Sequence, residues 1–130
     1  MIIIDGKDSV LGRIGAFAAK SALQGEDVAV VNCSEIIITG NKKRIKEDFE
    51  IRRSRVGHSQ KGPKLGKTSE KIVKRAIRGM LPNHRFGRGR IAFKRIKCYS
   101  KVPTEFLESE KVIVDKSKKL KFSKVREFTK

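Results

Sequence analysis

Apolar residues near the start of the chain fall in three short, largely β-branched runs: Ile2-Ile3-Ile4, Val28-Ala29-Val30-Val31 and Ile36-Ile37-Ile38. Runs of this length without polar alternation predict strands covered on both faces. Between the first two, Val10, Leu11, Ile14, Phe17, Ala18 and Ala22 recur at helical spacing. They predict a helix with Asp8 or Ser9 as its N-cap and Gly25 as its stop. Gly12, Gly15, Ala16 and Ala19 are small enough to bring that helix close to a sheet. Strand, helix and strand in succession make a βαβ unit, hence a right-handed crossover and a parallel sheet, with Ile36-Ile37-Ile38 as a further buried strand.

After Gly40 the pattern changes. Residues 41–53 predict a charged helix in which Lys43/Glu47, Arg44/Asp48, Lys46/Glu50 and Asp48/Arg52 are all spaced i,i+4. From Arg52 to Lys67 there is almost no large apolar residue, and the stretch predicts an extended loop with no core to fold onto. Thr68 or Ser69 then caps a helix with Ile72, Val73, Ala76, Ile77 and Met80 on one face. Lys71, Lys74, Arg75 and Arg78 occupy the other face, and Gly79 and Pro82 end it. A second glycine- and arginine-containing loop, Asn83 to Gly89, leads into a basic helical segment carrying Ile91, Ala92 and Ile96, and Cys98-Tyr99 opens a last strand. From Lys111 the pattern leaves two options: Val112-Ile113-Val114 joins a sheet, or the tail is an arm. No repeat is present, and the 130 residues fit a single domain with a basic region over 41–101 and a tail over 102–130.

Charge changes the picture more than any apolar run. The formal net charge is +18, and it is unevenly spread. Residues 1–40 carry three Lys/Arg against five Asp/Glu, residues 41–101 carry 21 against four, and residues 102–130 carry eight against five. A near-neutral scaffold therefore bears a cationic middle, and a polyanion is the expected partner. A membrane is excluded on apolar length, since no stretch approaches the roughly 20 residues that span a bilayer. The Ile2–Ile4 run meets Asp5 at once and has no basic leader, which points to an intracellular protein. Cys33 and Cys98 stand far apart with no CxxC motif, giving little support to a disulfide framework or a zinc site. The Asn32-Cys33-Ser34 acceptor pattern carries no weight without a secretory signal.

Catalytic readings fail one by one. Gly62-Pro63-Lys64-Leu65-Gly66-Lys67-Thr68 looks like a phosphate loop, but it has three residues between its glycines where the motif needs four, and no buried strand precedes it. The turn after the first strand, Asp5-Gly6-Lys7-Asp8-Ser9, lacks a dinucleotide fingerprint and is acidic. Glu47, Asp48 and Glu50 each have a basic partner at helical spacing, so they read as a solvated helix face rather than metal ligands. His58 and His84 have no carboxylate or Cys partner nearby in sequence. No enzyme, cofactor, metal or small-molecule substrate is expected.

The cations remain. Lys42, Lys43 and Arg44 open the charged helix. Arg52, Arg53, Arg55, His58, Lys61, Lys64 and Lys67 lie in the first loop, which contains no acid. Lys71, Lys74, Arg75 and Arg78 form the outer helix face, and His84, Arg85, Arg88 and Arg90 the second loop. Arginine forks suit bidentate phosphate contact and base stacking, with Phe86 and His84 the aromatic rings interleaved there. No helix-turn-helix, zinc finger or basic zipper is present, and irregular loops suit folded RNA, so these residues are the expected RNA-binding set. Arg-to-Ala changes within 52–67 are expected to weaken binding while leaving thermal unfolding of the free domain nearly unchanged.

Three ordered motifs then carry a resemblance. Asp5-Gly6, followed by Leu11-Gly12-Arg13-Ile14, is the first. The second is Val30-Val31-Asn32-Cys33-Ser34-Glu35-Ile36 leading to Thr39-Gly40-Asn41-Lys42, and the third is Arg78-Gly79-Met80-Leu81-Pro82, followed by Gly89-Arg90 and Ile96-x-Cys98-Tyr99. Over residues 2–101 the chain resembles the family of ribosomal protein thirteen of the large subunit, in its archaeal/eukaryotic-type branch. It departs from that family's pattern at Cys98, where a plain aliphatic is commoner, and in the tail after Lys101. The resemblance implies a three-layer α/β/α fold with a small parallel sheet of about four strands, carrying basic loops and helices. It implies a structural constituent of the large ribosomal subunit that binds and organises large-subunit rRNA during assembly, beside neighbouring ribosomal proteins. An RNA-binding translational regulator acting off the ribosome is the alternative.

Overall fold

The structure is a computed structural model, described here for residues 1–55, 57–58, 64–115, 117 and 119–129. Its centre is a four-stranded parallel sheet in the order β4-β2-β1-β5. The strands are β1 (Ile2–Asp5), β2 (Val28–Val31), β4 (Ile96–Cys98) and β5 (Val112–Ile113). A separate antiparallel pair joins β3 (Ile37–Thr39) to β6 (Phe122–Lys124). The helices are α1 (Leu11–Leu23), α2 (Lys42–Ser54), α3 (Ser69–Met80) and α4 (Gly87–Arg95).

The uninterrupted apolar runs follow from burial on both faces of the sheet. On one face Ile4, Val28 and Val30 pack with Ile14, Ala18 and Ala22 of α1, Ile72, Val73 and Ile77 of α3, and Ala92 of α4. On the other, Ile3, Ala29 and Val31 meet Phe106, with Tyr99 and Val102 alongside. Phe106 comes from a 3₁₀ turn, Thr104–Phe106, and its ring meets Tyr99 edge-on at 5.8 Å. The mixed α/β architecture thus agrees with the expected α/β/α layering, with the second layer thinner than the first.

The βαβ unit forms as its pattern predicts: Ile2 to Asp5 pair in parallel with Val28 to Val31. Gly25 ends the α1 region with φ +103, and its N–H donates to the Ala22 carbonyl at 3.2 Å. The predicted cap does not form. Val10 occupies the N-cap position without a side-chain bond, because Asp8 turns at φ +55 and Ser9 is drawn into the interior. There its hydroxyl donates to the Asp115 carbonyl at 2.9 Å.

The expected third buried strand leaves the parallel sheet. Asn32 adopts a left-handed conformation and Cys33–Glu35 form a 3₁₀ turn, which swings the chain away from β2. β4 takes the place beside β2, with Val30 opposite Cys98, so Cys98 ends a strand where the sequence had it open one. β3 finds its partner in β6 instead, with Ile37 opposite Lys124.

Helix α3 buries Ile72, Val73 and Ile77, while Met80 is 43% exposed. Helix α4 begins inside the expected second loop, so Arg88 and Arg90 are helical. Gly89 is buried where α4 meets the Pro82–Asn83 turn: a Cβ there would run into both carbonyl oxygens, that of Asn83 at 2.5 Å. Backbone cannot yield as a flexible side-chain tip can. We expect Gly89→Ala to cost about 1–3 kcal/mol, read as a lower thermal midpoint, whereas Ala at the open Gly79 should not destabilise the fold.

The tail is part of this fold. Asp115 is buried and receives bonds from the Ser117 hydroxyl at 2.7 Å and amide at 3.0 Å. Arg13 of α1 reaches it at 2.9 Å and Lys119 at 3.6 Å. The Ser117 bonds first, then the two cations, hold its carboxyl at a pKa of about 2, below the ordinary 3.8. A depressed carboxylate contributes stability that is fully present above pH 3.8 and is lost as pH falls toward about 2. Asp115→Asn is therefore expected to lower the thermal midpoint at pH 7, with the gap from the parent narrowing across that acid window.

Candidate nucleic-acid interface

Three segments bring cations to one side of the molecule. Arg52 and Arg55 stand at the end of α2, Lys64 lies in the chain approaching α3, and Lys71, Lys74, Arg75 and Arg78 project from α3. They line two open grooves that share Arg75. One, of about 250 Å³, is bordered by Lys64, Gly66, Lys71, Lys74, Arg75, Arg78 and Phe93. The other, of about 230 Å³, is bordered by Arg52, Arg55, Leu65 and Arg75. Among the described residues, seven cations border the pair of grooves and no carboxylate does.

Local packing explains how the cations converge. The apolar stripe of α3 is committed to the core, so its basic residues face outward. The segment before α3 lies tightly on the helix, since a Cβ at Gly66 would come within 2.6 Å of the Lys71 Cβ. The Arg75 guanidinium donates to the Lys64 carbonyl at 3.3 Å. This part of the expected free loop therefore has a surface to lie on, and Leu65 is half-buried against it. Phe93 provides an aromatic wall, with the Lys74 ammonium 5.0 Å from its ring centre and His84 edge-on at 6.2 Å.

The one acid on α3, Glu70, borders neither groove. Glu70 accepts a hydrogen bond from the Ser100 hydroxyl, which together with its own backbone N–H holds the carboxyl below its ordinary range. Ser69 completes this cluster through its hydroxyl, 2.8 Å from that of Ser100.

Other expected contacts lie elsewhere. Arg53 turns inward: its guanidinium donates to the Phe128 carbonyl and sits 5.3 Å from the centre of the Phe49 ring. It serves the scaffold, so Arg53→Ala is expected to lower the thermal midpoint, in contrast to the nearly unchanged unfolding expected for arginines within 52–67 as a group. Lys42 pairs with Glu127 at 3.0 Å. Lys43 and Arg44 are exposed on α2, where none of the four expected i,i+4 pairs closes to ion-pair distance; in water such pairs are worth only a few tenths of a kcal/mol. His58 and Lys67 are exposed, as are Arg85, Arg88 and Arg90 around the start of α4. Lys61 and the Gly62-Pro63 start of the apparent phosphate loop lie outside the described residues.

Sequence reasoning missed Phe93 and Leu65. Phe93 lies on α4, within the basic helical segment that the sequence predicted; Leu65 carried no periodic signal. Among the described residues, no helix is long and apolar enough to cross a membrane, and no group of three or more potential ligands could hold a metal ion.

The chain matches the family described as Ribosomal protein L13 over residues 1–105. It belongs to that family. Large ribosomal subunit protein uL13 of Natronomonas pharaonis is 39% identical over 122 residues, covering 93% of this chain and 83% of the relative. The protein of the same name from Thermoplasma volcanium is 42% identical over 112 residues, with coverage of 86% and 80%. That of Methanococcus maripaludis is 41% identical over 106 residues, covering 79% and 77%. The Ribosomal protein L13 match includes every groove residue and ends before β5 and β6. These relatives are named as components of the ribosome, and the family is one of structural ribosomal proteins, not of enzymes.

Proposed function

We propose that this chain is a structural constituent of the large ribosomal subunit that binds large-subunit rRNA and organises it during assembly. The observation that carries the reading is the pair of adjoining grooves bordered, among the described residues, by seven cations and no acid. Such a surface suits a phosphate backbone folded back on itself, where two strands of negative charge come close together. Phe93 offers a ring edge or face beside those phosphates, and the near-neutral sheet and α1 serve as the mount. Arg85, Arg88 and Arg90 extend the contact from α4, while Lys43, Arg44, His58 and Lys67 supply peripheral charge; Lys61, outside the described residues, adds a further cation to the set. Neighbouring ribosomal proteins are the expected protein partners, and the ribosome the expected location.

Salt titration of binding to large-subunit rRNA tests the mechanism. The logarithm of the affinity should fall with the logarithm of salt concentration by roughly 0.7–0.9 per phosphate neutralised, hence by roughly 5–6 if all seven groove cations are engaged. A flat response would overturn it.

A further inference from the structure

The two cysteines are distant in sequence and adjacent in the fold. Cys98 ends β4 directly opposite Val30 of β2. Two residues beyond Val30 the left-handed turn at Asn32 folds the chain back, so that the Cys33 amide donates to the Tyr99 carbonyl at 3.0 Å. The Cys33 thiol then lies 3.6 Å from the Val30 carbonyl oxygen. Val30 is therefore the common neighbour of both side chains, and both sulfurs belong to the same core. The Cys33 thiol is fully buried, while Cys98 is partly exposed. The Cys98 thiol beside it and the burial both push the Cys33 pKa far above its ordinary value.

We propose that Cys33 and Cys98 are a modification site: they close an intramolecular disulfide when a small disulfide reagent reaches Cys98. The asymmetry of exposure sets the order of events. The Cys98 thiolate attacks one sulfur of R–S–S–R, forms a mixed disulfide and expels the first RS⁻. The sulfur of Cys33 then attacks the Cys98 sulfur as its proton passes to the departing second thiolate. Two protein thiols are oxidised to one disulfide and the reagent is reduced to two RSH, so the electrons balance. The link would tie the turn after β2 to the end of β4. The loop it closes runs from Ser34 to Lys97 and contains α2, α3 and α4 with both grooves, so the bond would restrain the unfolded chain while touching no groove residue.

The native full-length protein, treated with oxidised glutathione and then alkylated, decides the matter by intact mass and peptide mapping. The expected product is a monomer lighter by two hydrogens, with Cys33 and Cys98 peptides linked and two glutathiones released per chain. Cys33→Ser should stop at the mixed disulfide on Cys98, and Cys98→Val, which keeps an apolar side chain in place, should show neither product. A lasting glutathione adduct on the wild-type Cys98, a disulfide-linked dimer, or linkage that forms only in denaturant would each overturn the proposal.

Discussion

Replacing Lys64, Lys71 and Arg75 together by Ala should weaken binding to large-subunit rRNA by on the order of 10²- to 10³-fold at moderate salt. The estimate takes each lost charge-assisted contact as about 1–1.5 kcal/mol. The three line the larger groove, and Arg75 belongs to both. All three are exposed, so thermal unfolding should move little, because surface changes are usually within about 0.5 kcal/mol. The salt slope should also fall by roughly two, since each phosphate contact contributes about 0.7–0.9. Net charge alone would predict the same loss from any three lysines. A matched variant, Lys20→Ala with Lys101→Ala and Lys121→Ala, removes equal charge from exposed positions outside the grooves. Equal weakening by the two variants would show diffuse attraction and no site. A much larger loss from the groove variant would locate the contact.

What could be read from the sequence was whatever depended on local periodicity. The Ile2–Ile4 and Val28–Val31 runs announced buried strands because nothing polar interrupts them, and both lie in the middle of the sheet. The α3 stripe separated core from cationic face through its spacing alone. Ile36-Ile37-Ile38 has the same composition yet sits in another sheet. Its partner is decided by the Asn32 turn and by β6, a strand whose Phe122-Ser123-Lys124 has no strong strand signature. Pairings between distant segments leave little trace in either partner's own pattern.

The site was legible as a list of cations and not as a surface. Arg52 and Arg53 are neighbours in sequence with the same chemistry. One borders a groove, and the other donates to the Phe128 carbonyl, a division set by the position of each on α2 relative to the C-terminus. The two cysteines show the same limit in reverse, since separation in sequence hid a contact that strand order creates.

The strongest dependence on such distant contacts is that of α2, and it gives the second large effect. Phe128→Ala should lower the thermal midpoint by roughly 10–15 °C, corresponding to about 3–5 kcal/mol for truncating a buried phenylalanine in a chain of this size. Phe128 is 3% exposed, and its ring stacks on Phe49 of α2 at 5.1 Å with an interplanar angle of 10°. Helix α2 has no fully buried residue of its own. Among the described residues it meets the tail through that stack, the Arg53 bond to the Phe128 carbonyl, and the Lys42–Glu127 pair. Losing the ring should therefore loosen α2 as well as open the core around it. Because Arg52 and Arg55 ride on the end of α2, RNA affinity should fall too, even below the melting transition where the rest of the chain stays folded. Leu120→Ala is the control, since Leu120 is fully exposed and its removal should change neither quantity. If Phe128→Ala left both the thermal midpoint and the affinity at parental values, the tail would be an appendage. If it lowered both, a segment beyond the Ribosomal protein L13 match would be what holds one wall of the proposed RNA surface in place.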